Sequence, residues 1–416
     1  MKNFRLTGIL LICILVFSMC SCSGIYEYFF EDDDGFSSDM NEFFGQFGSS
    51  DEVSYKEPPK IEVSDYYTTP YDNPFERELS EREIEIYNLF CYYIEHDELE
   101  FDFYDADEKE VIKAYKAVID DHPEYFWLTK GYRYTKTTLG DKSDINFTPI
   151  LYGGSEGIKD KEKELKAKVQ EIVSNAESRE NIYEKVLFVH DYIVENTTYD
   201  HDAAADGSDD SESDNDNDPY FDSRTAYGCL INDKAVCSGY AAAFQYIMKE
   251  MNIPCGRVSG RSVENGEPHE WNYLRIGDYN YQMDVTWDDA TVSSDDEQSE
   301  RVSYDYFLIT TDEAELTHII GDGQNIPECN GIEYNYYIYN NLYFEEYDFD
   351  YIAYAVRERI YSGDISVPLK FANENERERA YYDLIENDRV FEIDGIDRHI
   401  SYIKGNNGLT LTINNF

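Results

Sequence analysis

Two stretches of this chain hold the residues best suited to covalent chemistry. In "AVCSGYAAAF", residues 235–244, Cys237 stands among small residues at the start of a predicted helix that runs through "AVCSGYAAAFQYIMKEM". The unpaired N–H groups of a first helical turn, together with the helix dipole, favour an anion there. Ala235, Ser238, Gly239 and Ala241 are small enough to let other segments approach closely. By itself the position admits two readings, a nucleophilic thiol or a small buried residue, because free cysteines commonly pack in cores. The second stretch, "GEPHEWNYLRIGDYNYQMDVTWDD", reads as two strands joined at "IGDYN". His269 begins the first strand and Asp284 lies near the end of the second, so antiparallel pairing brings them together. A thiol at a helix start, an imidazole to take its proton and a carboxylate to orient the imidazole make a nucleophilic triad.

Other readings of the same residues are weaker. "HEWNY" begins like the zinc motif HExxH, but Tyr273 stands where the second histidine must be, and no metal is expected. Asp288 and Asp289 could replace Asp284 but read better as a polar strand exit. "DNDND" alternates carboxylates like a calcium loop, yet it lacks the following glycine and the distal glutamate of an EF-hand. No cofactor is implied.

The elements that must position the site read as follows. "ENIYEKVLFVHDYIVENTTY" is a helix with Tyr183, Val186, Leu187, His190 and Val194 on one face, and His190 is expected to be a satisfied core histidine. Trp271 and Trp287 flank the His and Asp and are expected mainly in the core, as is His318, which has no evident partner. Cys229, in "YGCLIND", reads as a small apolar residue in a loop leading to the helix. Upstream, "LSEREIEIYNLFCYYIEHDEL" opens with the capping-box pair Ser80 and Glu83. A second helix ends near Pro123, and two strand-like runs follow.

"KAVCSGYAAAF", "HEWNYLRI" and "YNYQMDVTWDD", with the preceding "VLFVHDYIVENTTYD" and the later "YDYFLITTDEAELTHI", resemble the core of the transglutaminase-like superfamily over roughly residues 165–320. The resemblance is to the bacterial, often exported branch. It implies an α+β chain with a papain-like core, the cysteine helix packed on an antiparallel sheet that carries the His and Asp. It also implies that Cys237 is the nucleophile, His269 the base and Asp284 the orienting acid. Members of the superfamily crosslink glutamine to lysine or cleave amide bonds, and some have lost the cysteine and only bind. The acidic insertion and Glu270 after His269 depart from the family pattern and bear on substrate preference. The Cys237 N–H is a natural oxyanion donor at a helix start, and Tyr199 is the candidate for a second.

The N-terminus carries basic Lys2 and Arg5, the apolar run "LTGILLICILVF" and then "SMCSCSG". This resembles a bacterial lipoprotein signal. Ser21 before Cys22 suits processing better than Met19 before Cys20, so Cys22 is the expected lipidation site. The expected location is the outer face of a bacterial cell membrane, held by lipid. Acidic residues outnumber basic ones 87 to 35, a formal net charge of −52, which argues against nucleic acid as a partner.

The expected organisation is a lipoprotein signal over 1–22, an acidic stalk over 23–75, an α+β region over 76–156, a catalytic core over 157–320 and a C-terminal α/β appendage over 321–416, with an acidic insertion at 206–219 in the core. The expected function is thiol-dependent acyl transfer on a protein or peptide substrate, leaning to hydrolysis. The alternative is a non-catalytic surface binding module that keeps the fold.

Overall fold

The computed structural model describes residues 75, 78–140, 142–152, 157–206, 218–289, 302–397, 399–405 and 408–415. The signal segment with Cys22, the stalk up to residue 74 and residues 207–217 of the acidic insertion lie outside the described residues. The chain forms two compact units. Of the described residues, 81–115, 131–140 and 142–150 belong to the first, and 75, 78–80, 116–130 and those from 151 onward belong to the second.

The first unit contains α1 (Glu81–Glu95), β1 (Phe101–Phe103), the start of α2 (Glu108–Asp121) and most of β2 (Leu128–Leu139) and β3 (Lys142–Leu151). The strands order β1-β3-β2. Its core is aromatic: the Phe90 ring centroid lies 4.6 Å from Phe103, 5.1 Å from Phe101 and 5.2 Å from Phe147. α2 stops at Asp121, two residues before Pro123, because proline cannot supply the N–H that would continue the helix.

The second unit holds the candidate site. α3 (Ile158–Glu177) and α4 (Ile182–Asn196) precede a short β4 (Thr198–Tyr199) and α5 (His201–Asp206). Asn181 caps α4 by accepting the Glu184 N–H, as its side-chain oxygen is suited to do. Next come α6 (Ala226–Leu230), β5 (Lys234–Ala235) and α7 (Cys237–Glu250). β5 pairs in parallel with β4, Tyr199 opposite Ala235. β6 (Cys255–Ser262), β7 (Pro268–Ile276) and β8 (Tyr279–Met283) follow, then α8 (Thr311–Ala314) and β9 (His318–Ile320). The sheet order is β8-β7-β6-β9. β7 and β8 form the expected hairpin, Ile276 opposite Tyr279, and Gly277 supplies the positive φ of 61° that the tight turn needs.

The C-terminal residues form α9 (Tyr336–Tyr339), β10 (Tyr343–Phe344), α10 (Phe349–Tyr361), β11 (Ser366–Phe371), α11 (Glu374–Tyr381), β12 (Ile400–Lys404) and β13 (Thr410–Asn415). Their sheet orders β10-β11-β13-β12. This region belongs to the second unit. Buried polar contacts join it to the segment after β8: Thr410 Oγ1 donates to Asp305 Oδ2 at 3.0 Å, and the buried Lys370 ammonium pairs with Glu313.

Candidate active site

Cys237 is the first residue of α7, and Val236 before it is extended, with φ −98° and ψ −179°. The chain is held there by the Val236 N–H, which donates to the Ser223 carbonyl at 2.8 Å. The small residues after the thiol permit this approach: a Cβ on Gly239 would lie 2.5 Å from the Ser223 oxygen. α7 is buried from Ser238 to Met248, and the Asn272 amide on β7 donates to the Ala241 carbonyl at 3.1 Å. Of the described cysteines, Cys237 alone has partial exposure; Cys91, Cys229, Cys255 and Cys329 are buried, and all five are free thiols.

His269 sits on β7 opposite Gly260 of β6, close enough to Cys237 for the sulfur to help raise the imidazole. Its Nε2 lies 2.6 Å from Asp284 Oδ2, which leaves Nδ1 for the thiol. Burial works against a charged His269, but the Asp284 carboxylate outweighs it and raises the imidazole to about 10. Asp284 follows β8. Its Oδ1 accepts the N–H groups of Thr286 at 3.0 Å and Trp287 at 3.2 Å. Burial would raise this carboxyl, yet His269 and His318 hold it well below the usual carboxylate range.

Tyr199 is brought near by the β4–β5 pairing, which places it beside the lead-in to α7. Burial, then the nearby Cys237, push its phenol well above the ordinary value. The N–H groups of Thr198 and Asp200 donate to Asp233 and Ala235, so alternation turns the Tyr199 N–H away from β5. The Cys237 N–H, at the first helical position, has no intrahelical acceptor.

Trp287 stacks on His269 with centroids 4.5 Å apart and planes at 19°. Trp271 is buried, 5.8 Å from His269, and its indole N–H donates to Gln282 at 2.6 Å. Cys229 lies in the short helix α6 rather than a loop; its sulfur is 3.3 Å from Thr197 Oγ1, and burial pushes the thiol up to about 12.

Two further sequence expectations are corrected. Asp288 and Asp289 do not form the polar strand exit expected of them. Both are buried, Asp288 lying 3.2 Å from His190 Nε2 and Asp289 accepting the Tyr240 hydroxyl at 2.7 Å. Local polarity could not reveal partners so remote in sequence. His318, for which no partner was visible, places its Nε2 3.0 Å from Asp284 Oδ2. Its position is fixed by β9 pairing with β6, His318 opposite Ser262, a contact with no local signature.

His269, Asp284 and His318 offer ligand-type atoms within 4.8 Å of one another. Both imidazoles, however, approach one carboxylate oxygen at 2.6 and 3.0 Å. These are N–H···O distances, and a cation bonded to all three at about 2.0–2.1 Å would need the ligands to spread. The donor set fits a hydrogen-bonded cluster better than a metal centre.

Residues 166–287 match the model of the transglutaminase-like superfamily. This segment is a transglutaminase-like domain. The match takes in Cys237, His269 and Asp284. No curated protein matches the chain. Among solved structures, a crystal structure of a TGase is 16% identical with a TM-score of 0.26, the match covering 37% of this chain and 44% of that one. A Cytophaga hutchinsonii protein proposed to be a cysteine protease is 14% identical with a TM-score of 0.22, over 38% of this chain and 62% of that one. The chain thus spans less than two thirds of either.

Proposed function

We propose that the protein is a thiol-dependent acyl-transfer enzyme acting on protein or peptide carboxamides. The observation that carries this reading is the 2.6 Å His269–Asp284 pair set beside Cys237, which stands at the start of a buried helix. His269 holds the proton drawn from the thiol as an imidazolium, and the Cys237 sulfur, left with the electron pair, attacks the carbonyl carbon. The oxyanion that forms is met by the Cys237 N–H and, from the other side, by Tyr199. The C–N bond then breaks, His269 gives its proton to the leaving amine, and a thioester on Cys237 remains. Water, deprotonated by His269, releases the acid; a lysine amine in its place gives a crosslink. Because Cys237 is partly exposed, water has access to the thioester, which supports hydrolysis as the main outcome.

The test is incubation with a peptide library and a labelled primary amine, with products read by mass spectrometry. Cleavage or deamidation should dominate over amine incorporation, and all three should vanish in Cys237→Ser and His269→Ala. Turnover that survives in Cys237→Ser would sink the reading.

The proposed setting is the outer face of a bacterial membrane, with lipid on Cys22. It is supported by the basic, apolar and "SMCSCSG" segments at the N-terminus. Cys22→Ser should leave the protein unprocessed or release it into the medium. Processing and membrane retention both unchanged by that variant would refute the assignment of Cys22.

A further inference from the structure

Asp284 is shared between two imidazoles. His269 Nε2 lies 2.6 Å and His318 Nε2 3.0 Å from the same oxygen, Oδ2. A carboxylate oxygen only accepts, so each Nε2 must carry a proton and donate it. Two backbone N–H groups hold Oδ1, so the side chain is fixed at both oxygens.

The far side of His318 is equally well defined. Its Nδ1 lies 2.9 Å from Thr317 Oγ1 and 3.2 Å from the Ala314 carbonyl. Trp287 packs on its ring at 4.1 Å and Trp271 at 4.6 Å. The strand order lets this happen. β6 separates β7 from β9, and on β6 the residue opposite His269 is Gly260. A Cβ there would stand 2.6 Å from the Trp271 ring and 2.2 Å from the Ile319 carbonyl. Glycine therefore leaves the space that the Trp271 indole, itself packed on His318, occupies. A buried histidine needed only for packing could be replaced by a hydrocarbon with no polar group to satisfy. Here both nitrogens are committed, and one is committed to the carboxylate that aims His269.

We infer that His318 is a positioning residue: through Asp284 it holds His269 in line with Cys237. The inference rests on the acyl-transfer reading above. His318 touches neither the thiol nor any reacting atom. It removes the freedom of Asp284 to rotate about its side-chain bond, a motion that would swing the His269 ring with it. The titratable groups facing Asp284 are His269 and His318, with Tyr199 and Tyr306 nearby.

The test uses iodoacetamide as the probe and the whole protein, and follows the rate of Cys237 alkylation from pH 4 to pH 10. Two variants separate the ring from its hydrogen bond. His318→Phe keeps an aromatic ring beside Trp287 but has no donor; His318→Gln keeps a donor and loses the ring. Removing a donor from a carboxylate disfavours its charged form. The acid limb of the rate–pH curve in His318→Phe should therefore move up by roughly one unit, with alkylation near pH 6 slowed about tenfold. His318→Gln should lie close to wild type. Thermal melts identify a variant that fails to fold, and His318→Asn, whose amide is too short to reach Asp284, then replaces His318→Phe.

His269→Ala separates the two levels of the argument. If it displaces the curve while both His318 variants overlay wild type, the positioning role is wrong and the acyl-transfer reading stands. If His269→Ala leaves the curve in place, the reactive pair itself is absent and both ideas fall.

Discussion

Two buried imidazoles in the second unit are held protonated by what surrounds them. His190 places Nδ1 3.0 Å from Asp191 Oδ1 and Nε2 3.2 Å from Asp288 Oδ2. Both neighbours are acceptors, so both nitrogens donate. Burial alone would lower this imidazole, but the two carboxylates outweigh it and raise the group to about 9. A folded-state value above the ordinary 6.5 means stability that is fully present below about pH 6.5 and lost as pH rises through 9. His269, raised to about 10, acts with the same sign. The melting temperature should accordingly fall between pH 7 and pH 10. His190→Gln should lower the unfolding free energy already at pH 6.5, by roughly 3–5 kcal/mol for a buried charge pair that loses one partner, and should flatten the alkaline decline of the melting temperature. A wild-type melting temperature that holds or climbs to pH 10 would contradict this account of His190. Cys237, His269 and Asp284 were legible as residues because their chemistry is uncommon and their order familiar. The role of His318 was not, since nothing within a few residues of it marks its partner.

At the scale of elements, the hairpin explains why so much of the site could be read. Its turn is short, and the register Ile276 opposite Tyr279 carries Trp271 opposite Asp284 when continued past Met283. His269, two residues before Trp271, shares its face. A local turn thus fixes a contact between residues well apart in sequence. The start of α7 was legible for a similar reason, because Gly239 and its small neighbours mark a close backbone approach. Two other features depend on pairings with remote segments. β9 joins the sheet across β6, and Asp288 and Asp289 turn inward to His190 and Tyr240. A charged pair after a strand looks like a solvated exit until its distant partners are known. Cys229 likewise read as a loop residue. The Thr225 hydroxyl, which accepts the Gly228 N–H, caps a helix only five residues long, too short to leave a periodic signal.

At the scale of the whole chain, the charge of −52 disfavours anionic partners, and among the described cysteines the burial of four leaves one candidate for reaction. Cys91, Cys229, Cys255 and Cys329 lie in the cores, and burial pushes Cys229 and Cys329 up to about 12. Cys237 is partly exposed and lies beside an imidazole that holds its proton to about pH 10. The central claim is that this thiol is a reactive nucleophile activated by His269. Its most direct test is brief iodoacetamide treatment of the folded protein at pH 6, followed by peptide mass mapping of these five cysteines. The account predicts modification at Cys237 alone among them, slowed at least ~100-fold in His269→Ala. An unmodified Cys237, or an equal rate in His269→Ala, would contradict it.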